Sequence, residues 1–390
     1  MRWSDLAGRL ASWGHQVKVL TALPNYPSTE VLPGWEGRSG ETTMEDGAQV
    51  ARLSLFVPRE RSFLARMTNY LSFAAHALAR GEEYLYPCDV LMMESPPLFL
   101  GMAAVPLARR MGARFVVNVS DLWPRTAVEM GIVRPGLGLR AADVLEKELY
   151  RSADLVMGQT EGIIEDIRGR FPEVRTALFP NGVDCDRFRP GQSDEVRAEM
   201  GWSNDEIVFG YAGVLGHAQA LGQVLDAAAM LRDRPDIRVV LVGDGPERKN
   251  FVERVRRERL DRVSILPRQP ADRMPAFQSA FDVGLVTLAD RKVFAGARPS
   301  KCFEIMASGR PVLLCARGEA ARVVESAPGG PAGKIVPPER PAELAEAMRD
   351  LARDQALRET LGRRGRALVE RDFERRSIAV QVESLLEAIL

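Results

Sequence analysis

Cysteine and histidine are scarce in this chain of 390 residues, which contains only four cysteines and three histidines. The cysteines lie far apart and form no Cys-x-x-Cys pair; they are Cys88, Cys185, Cys302 and Cys315. A disulfide scaffold and a Cys/His metal site are both disfavoured, because each needs several such residues at close spacing. A reducing, cytoplasmic setting is predicted instead.

Long apolar runs and an excess of one charge are also missing. No stretch approaches the roughly eighteen uninterrupted apolar residues of a membrane-spanning helix, and no signal peptide precedes the first helical pattern. The 53 basic residues equal the 53 acidic ones, so no overall field is expected to recruit nucleic acid. With 46% apolar residues, the chain can fill sizeable cores, and we expect a soluble or peripheral protein of two or three domains.

Short apolar runs alternate with helical patterns over most of the length; examples are HQVKVLTAL (15–23), ARFVVNVSD (113–121), EIVFGYAG (206–213) and IRVVLVGDG (237–245). Runs with little polar alternation, separated by helices, are typical of parallel sheets covered on both faces. We therefore predict an α/β protein with two Rossmann-like, doubly wound parallel-sheet domains. The predicted domains are 1–185 and 186–370, and a terminal helix in 371–390 can pack back on the first.

The amino-terminal end departs from this plan. The chain opens MRWSDLAGRLASWGHQVKVL, a helix followed by a strand, whereas a doubly wound domain normally opens with a strand and a Gly-rich turn. We therefore expect the first domain to lack its first strand.

The segment RPSKCFEIMASGRPVLLC (298–315) predicts a short helix followed by a buried strand. Ser300 is the predicted N-cap and Gly309 the predicted helix terminator. Lys301 and Glu304 then lie one turn apart. Lys301 and the free N–H groups of the helix start would attract a phosphate, and Glu304 could accept hydrogen bonds from ribose hydroxyls. The alternative is an i,i+3 ion pair on a solvated helix face.

Two glycine-rich turns follow buried strands. LVGDGP (241–246) has Gly243 and Gly245 on either side of Asp244, and YAGVLGHAQAL (211–221) has Gly213, Gly216 and His217. Glycines at the end of a parallel strand let the backbone approach a phosphate or a base. The alternatives are a plain tight turn for the first segment and a merely solvated histidine in the second.

Two acidic motifs each allow two interpretations. Asp121, in VSDLWP, ends a buried strand and could act as a base or position a hydroxyl, or it could cap a helix. Asp184 and Asp186 form an Asp-x-Asp sequence, which can hold a metal-bound nucleotide but equally suits a turn after PNG.

PRERSFLARMTNYLSFAAHALARG (58–81) combines basic and apolar residues in a helical pattern. The residues concerned are Arg59, Arg61, Arg66 and Arg80, with Phe63, Leu64, Met67, Tyr70, Leu71, Phe73 and Leu78. Such a helix could lie on an anionic membrane surface, or pack in a core with a basic solvent edge.

Several motifs, taken in order, resemble the nucleotide-sugar-dependent glycosyltransferases of family 4, which have the GT-B fold. They are PNGVDCDRF, YAGVLG, LVGDGPER, MPAFQSAFDVGLVTL and PSKCFEIMASGRPVL. In the first half GRLASWGHQVKVLTALPNYP, NYLSFAAHAL and DLWP resemble the subgroup that builds bacterial surface polysaccharides, including transferases of the L-fucosamine type.

The resemblance implies transfer of a hexosyl or N-acetylaminosugar unit from a nucleoside diphosphate sugar, with retention at the anomeric carbon. We expect this donor to be UDP-linked. The acceptor would be a lipid-linked saccharide at the cytoplasmic membrane face, with no metal or further cofactor required. Glu304 would bind the ribose, Arg268 would lie beside the base, and Gly213, Gly216, Ser300 and Lys301 would surround the diphosphate. The predicted catalytic residues are Asp121 and Lys301, the latter stabilising the leaving diphosphate.

Two positions differ from the family pattern. Members often carry Glu-x7-Glu, whose first glutamate touches the donor sugar; Gly296 stands there, which leaves that contact to the backbone, Lys301 or Arg298. Many members also have histidine where Asp121 stands. A truncated, inactive nucleotide-binding protein, suggested by Gly296 and the missing strand, is one alternative function. A UDP-sugar 2-epimerase, which shares the architecture, is the other.

Overall fold

The computed structural model describes residues 2–25, 30–58, 63–129 and 136–390. The chain divides into two compact units. Unit 1 comprises Met1–Pro180 and Ile378–Leu390, and unit 2 comprises Asn181–Ser377.

Unit 1 contains the first six helices and the first seven strands. The helices are α1 (Arg2–Ser12), α2 (Phe63–Leu85), α3 (Gly101–Met111), α4 (Arg125–Glu129), α5 (Leu137–Arg151) and α6 (Glu161–Arg170). The strands are β1 (Lys18–Ala22), β2 (Thr42–Glu45), β3 (Ala48–Leu53), β4 (Val90–Ser95), β5 (Arg114–Val119), β6 (Leu155–Gly158) and β7 (Thr176–Leu178).

The strands of unit 1 form two sheets. One has the order β1-β3-β2, and the other is a parallel sheet with the order β4-β5-β6-β7. Among the described residues, β1 and β4 are each paired with one neighbour only. The hairpin of β2 and β3 was not predicted. It turns at Asp46 and Gly47, both at positive φ, and an Asp-Gly pair is a sequence signal for such a turn.

Unit 2 contains the remaining strands and most of the remaining helices. The strands are β8 (Ile207–Ala212), β9 (Ile237–Val242), β10 (Val263–Leu266), β11 (Val283–Thr287), β12 (Val312–Cys315) and β13 (Gly333–Val336). The helices are α7 (Asp194–Met200), α8 (Gly222–Ala229), α9 (Arg248–Arg257), α10 (Met274–Ala280), α11 (Ser300–Ala307), α12 (Glu319–Glu325), α13 (Pro341–Arg353) and α14 (Gln355–Asp372). Helix α15 (Arg375–Glu387) begins in unit 2 and ends in unit 1.

The sheet of unit 2 is entirely parallel, with the order β10-β9-β8-β11-β12-β13. Alternate residues of β12 belong to different cores: Leu313 and Cys315 pack with one, and Val312 and Leu314 with the other. This arrangement covers the sheet on both faces, and it explains why its strands read as unbroken apolar runs. The predicted α/β class is confirmed.

The end of the chain packs on unit 1. Ile378, Ala379 and Val382 of α15 share a buried cluster with Leu6 of α1 and Val116 of β5. The last helix is therefore held by apolar contacts made with the first 180 residues.

Candidate functional site

The strand order of unit 2 places a topological switch point between β8 and β11. The chain runs from β8 through β9 to β10, then crosses back to β11 on the other side of β8. The turn after β8 (213–216) and the segment that leads from β11 into α11 therefore emerge side by side at the carboxyl edge of the sheet. Open α/β sheets bind ligands at this place.

The turns after β8 and β9 are joined by backbone hydrogen bonds. The N–H of Gly213 donates to the carbonyl of Val242 (2.9 Å), and that of Leu215 donates to Asp244 (2.8 Å). The N–H of Glu247 in turn donates to the carbonyl of Leu215 (3.0 Å). The two predicted glycine-rich motifs are thus parts of one structure.

The glycines of the second turn are required by this packing. Gly243 has φ +153°, and a Cβ atom there would lie 1.8 Å from the carbonyl oxygen of Gly213. Gly245 has the same φ, and its Cβ would lie 2.4 Å from the oxygen of Leu215. Asp244 is exposed, and its Oδ1 accepts from the N–H of Gly245 (2.8 Å). These contacts agree with the tight-turn interpretation of Gly-Asp-Gly.

The side chain of Lys301 reaches from α11 to the turn after β8. Its Nζ lies 2.6 Å from the point that a Cβ on Gly213 would occupy. It also lies 5.0 Å from the ring centroid of Tyr211, the penultimate residue of β8. Within the described part of the chain, no hydrogen bond or ion pair engages this ammonium group. Burial lowers the pKa of Lys301, because the charged form has lost water.

Glu304 lies one turn further along α11 and is also desolvated. Burial raises the pKa of its carboxyl group, and Lys301, Arg375, Arg187 and a hydrogen bond from Gln278 act in the opposite direction. Gln278 is 2% exposed, and its Oε1 has no hydrogen-bond partner among the residues that the structure describes. The alternative of an exposed i,i+3 ion pair is wrong, since Lys301 and Glu304 are both partly buried and form no ion pair.

The start of α11 differs from the prediction in one respect. Pro299 occupies the N-cap position with extended backbone, and Ser300 is the first helical residue, exposed to solvent. No side-chain cap is formed, because proline has no side-chain acceptor. Gly309 has φ +69° just beyond the helix, so the predicted terminator is confirmed.

Three further predicted site residues lie on the surrounding turns. Gly216 precedes a short 3-10 helix, His217–Gln219. The imidazole of His217 is 79% exposed, and its Nδ1 lies 3.4 Å from Glu247 Oε1. Arg268 is exposed and follows β10, the neighbour of β9. The structure therefore places all of them near the carboxyl ends of β8 and β10.

Arg298 is engaged elsewhere. Its Nη2 lies 2.9 Å from Glu319 Oε2, and the two side chains are 8% and 6% exposed. Gly296 is exposed, and a Cβ atom there would have no atom of the described part of the chain within 4 Å. Of Arg298 and Lys301, the two side chains proposed to replace the missing glutamate, Arg298 is paired with Glu319, whereas Lys301 has no hydrogen bond or ion pair within the described ranges.

Asp121 lies in unit 1, directly after β5. Its Oδ1 accepts a hydrogen bond from Thr126 Oγ1 (2.7 Å) in α4. This contact joins two side chains, whereas a helix cap would accept from a backbone N–H.

A polar cluster beside Asp121 was missed at the sequence level. Glu94 is the penultimate residue of β4 and accepts from Asn118 Nδ2 (2.6 Å) and from the hydroxyl of Ser120. Gln159, after β6, donates to Ser120 Oγ (2.7 Å). These four residues lie at or just beyond the carboxyl ends of three parallel strands, β4, β5 and β6. Polar residues that recur at the ends of successive apolar runs were the available signal.

The predicted basic and apolar helix corresponds to α2. Arg59 and Arg61 lie outside the described residues, as do the side chains of Phe63, Leu64 and Arg66. Phe56, Tyr70 and Leu71 are 58%, 39% and 40% exposed, and Asn69 Nδ2 donates to the carbonyl of Phe56 (2.8 Å). Arg80 is paired with Glu83. No helix in the described ranges is long and apolar enough to cross a membrane.

The Asp-x-Asp sequence is used within its own turn. Asp184 Oδ1 accepts from the N–H groups of Asp186 (3.1 Å) and Arg187 (2.8 Å). This is the turn chemistry that the sequence allowed as the alternative to metal binding.

Two family models match the chain. Residues 1–182 match the family described as Glycosyl transferase 4-like domain, and residues 192–368 match Glycosyl transferases group 1. The chain is 27% identical over 331 residues to the "Putative colanic acid biosynthesis glycosyl transferase WcaI" of Escherichia coli (strain K12). That match covers 82% of this chain and 80% of the relative.

Solved structures show the same fold. Sucrose-phosphate synthase from Thermosynechococcus elongatus superimposes with a TM-score of 0.73 at 22% identity, over 99% of this chain and 92% of its own. Anabaena Alr3699/HepE, solved with UDP-glucose, gives a TM-score of 0.67 at 20% identity, over 88% and 87% of the two chains. At these identities the likeness concerns the fold alone.

Proposed function

Since the chain belongs to the GT4-type glycosyltransferases of the GT-B fold, we propose that its donor is a nucleoside diphosphate sugar and its acceptor a lipid-linked saccharide. The reaction would serve the synthesis of a bacterial exopolysaccharide, capsule or O-antigen. The name of the WcaI relative, which refers to colanic acid biosynthesis, supports this assignment.

One observation carries the donor half of the proposal: the ammonium of Lys301 lies against the turn at Gly213 with no hydrogen bond or ion pair to a described residue. Burying a cation without a partner costs free energy, and the binding of an anion at the same place offsets that cost. The turn after β8 and the start of α11 supply N–H groups on the same edge of the sheet. A diphosphate is the anion that suits both.

The donor is proposed to be UDP-linked, with Glu304 accepting hydrogen bonds from the ribose and Arg268 lying beside the base. HepE, which shares the fold, was solved with UDP-glucose, and this supports UDP. During transfer the glycosidic bond to the diphosphate breaks and negative charge grows on the leaving oxygen. Lys301 and the N terminus of α11 would stabilise that charge electrostatically, and retention of the anomeric configuration is expected.

Unit 1 is proposed to hold the acceptor. Asp121 lies at the carboxyl edge of its parallel sheet, where it could position the attacking hydroxyl. The exposed Phe56, Tyr70 and Leu71 suit contact with a lipid surface, and the basic residues of 59–80 suit an anionic one. We therefore place the enzyme at the cytoplasmic face of the cell membrane as a peripheral protein.

Calorimetric titration with UDP and, separately, GDP tests the donor site. We expect saturable UDP binding, weakened roughly ten- to hundredfold in Lys301→Met, because one charge-assisted contact to phosphate is lost. The matched control is Lys334→Met, since Lys334 lies in the same unit but is paired with Asp350 (2.6 Å). Equal UDP affinity in wild type and Lys301→Met would contradict the site. Product analysis without acceptor separates transfer from 2-epimerisation.

A further inference from the structure

Tyr211 is fully buried, yet both ends of its side chain have specific partners. Its hydroxyl donates to the carbonyl oxygen of Val214 (2.8 Å), inside the turn that follows β8. Its ring faces the ammonium of Lys301, with Nζ 5.0 Å from the ring centroid. One side chain therefore contacts both parts of the proposed diphosphate site.

The choice of an aromatic partner for Lys301 matters chemically. A carboxylate at this place would hold the ammonium but would neutralise the charge that a diphosphate needs. An aromatic face attracts a cation through its quadrupole, most strongly where water is excluded, and leaves the net charge unchanged. The Tyr211 ring can thus fix the ammonium while keeping it available.

The hydroxyl acts on the second part of the site. The carbonyl of Val214 points to Tyr211, and the N–H of Leu215 is held by Asp244 (2.8 Å). The turn is therefore anchored at two adjacent residues, Val214 and Leu215. Its remaining N–H groups are held in a fixed direction as a result. Preorganised donors lose less free energy on binding an anion than mobile ones.

We propose that Tyr211 is a positioning residue of the donor site, which holds the Lys301 ammonium and the 213–216 turn in the arrangement that a nucleoside diphosphate requires. This inference rests on the proposed function. It adds Tyr211, the first residue of the YAGVLG motif, to which the sequence analysis assigned no role.

UDP titration of the full chain over a range of pH tests the role of the ring. Tyr211→Leu is expected to bind UDP roughly ten- to thirtyfold more weakly. The loss of UDP affinity at alkaline pH should also set in at a lower pH than in the wild type. The reason is that the ring no longer stabilises the charged form of Lys301. Phe209→Leu is the matched control, because Phe209 is a fully buried aromatic residue of the same strand, whereas the cation–π contact of Lys301 is with Tyr211; it should keep the wild-type profile. An unchanged alkaline midpoint in folded Tyr211→Leu would overturn the inference.

Tyr211→Phe tests the hydroxyl and also serves if the leucine variant does not fold. The ring remains, so the alkaline midpoint should stay in place, and UDP affinity should fall roughly three- to tenfold because the turn has lost its anchor. If Tyr211→Phe binds UDP as tightly as the wild type, the proposed role of the hydroxyl is wrong. If the alkaline midpoint of UDP affinity is displaced in this variant, the proposed role of the ring is wrong.

Failure of the proposed function would look different. In that case the wild type would not bind UDP, or Lys301→Met would bind it equally well. If only the present inference fails, wild-type binding and the Lys301→Met defect persist, while Tyr211→Leu behaves like Phe209→Leu.

Discussion

A Cβ atom on Gly243 would lie 1.8 Å from the carbonyl oxygen of Gly213, so the turns after β9 and β8 approach each other as closely as only glycine allows. We expect Gly243→Ala to lower the free energy of unfolding by about 2–4 kcal/mol, since φ is +153° and the obstacle is backbone. Thermal or urea denaturation measures this. Gly296→Ala is the control, because nothing lies within 4 Å of its Cβ position. Equal losses in the two variants would disprove the packing argument.

Glu304 should make stability depend on pH. Burial raises the pKa of the Glu304 carboxyl group in the folded protein above its ordinary value of 4.5. The contribution of this group to the free energy of unfolding is therefore fully present below pH 4.5, and it is lost as the pH rises through the pKa of the folded state. Glu304→Gln removes that loss. We expect a slightly higher melting temperature than wild type at pH 7, no difference near pH 4, and weaker UDP binding at pH 7. Exposed Glu359→Gln on α14 is the control, and a lower melting temperature of Glu304→Gln at pH 7 would contradict this reasoning.

Gln278 should favour the ionised form of Glu304. Its hydrogen bond lowers the pKa of Glu304, so Gln278→Leu should raise that pKa further. The loss of UDP affinity on acidification is then expected to occur at a higher pH than in the wild type. Stability should change little, because the variant also removes the unpartnered Gln278 Oε1. In a Glu304→Gln background the substitution should leave the pH profile unchanged; a shift that persists there would refute the coupling.

The ion pair of Arg298 and Glu319 should be costly to break from one side. Both side chains are under 10% exposed, so Arg298→Met leaves a buried carboxylate whose other ionic partner is Arg322, at 3.2 Å. We expect a loss of about 3–5 kcal/mol in unfolding free energy. The double variant Arg298→Met/Glu319→Leu should recover much of it in urea denaturation. If it is as unstable as the sum of the two single variants, the charges are not coupled.

Asp121→Asn tests the proposed acceptor side. We expect sugar transfer to fall at least tenfold with UDP affinity unchanged, because Asp121 lies in unit 1 and the donor residues lie in unit 2. Thr126→Val is the control, since it removes the hydroxyl that donates to Asp121 (2.7 Å) and to the carbonyl of Leu122 (3.2 Å) but keeps the carboxylate. Similar transfer rates in Asp121→Asn and wild type would assign Asp121 a purely structural role.

The sequence predicted those elements whose signals are local. The runs at 206–213 and 310–316 became β8 and β12, because strands buried on both faces are apolar throughout. Gly309 ends α11 because a helix that terminates in the left-handed region favours glycine. The strands β2 and β13 were not predicted, because each has only four residues and neither contains a long apolar run.

The sequence by itself determined the α/β class, the placement of glycine-rich turns after strands, and the presence of Lys301 and Glu304 on one helix. Only the tertiary structure brought Lys301 onto the turn at Gly213, left its ammonium without a hydrogen bond or ion pair among the described residues, and placed Tyr211 beneath it. It also committed Arg298 to Glu319. The physical reason is that turn and helix preferences act over a few residues, whereas desolvation and pairing depend on which strands become neighbours in the sheet.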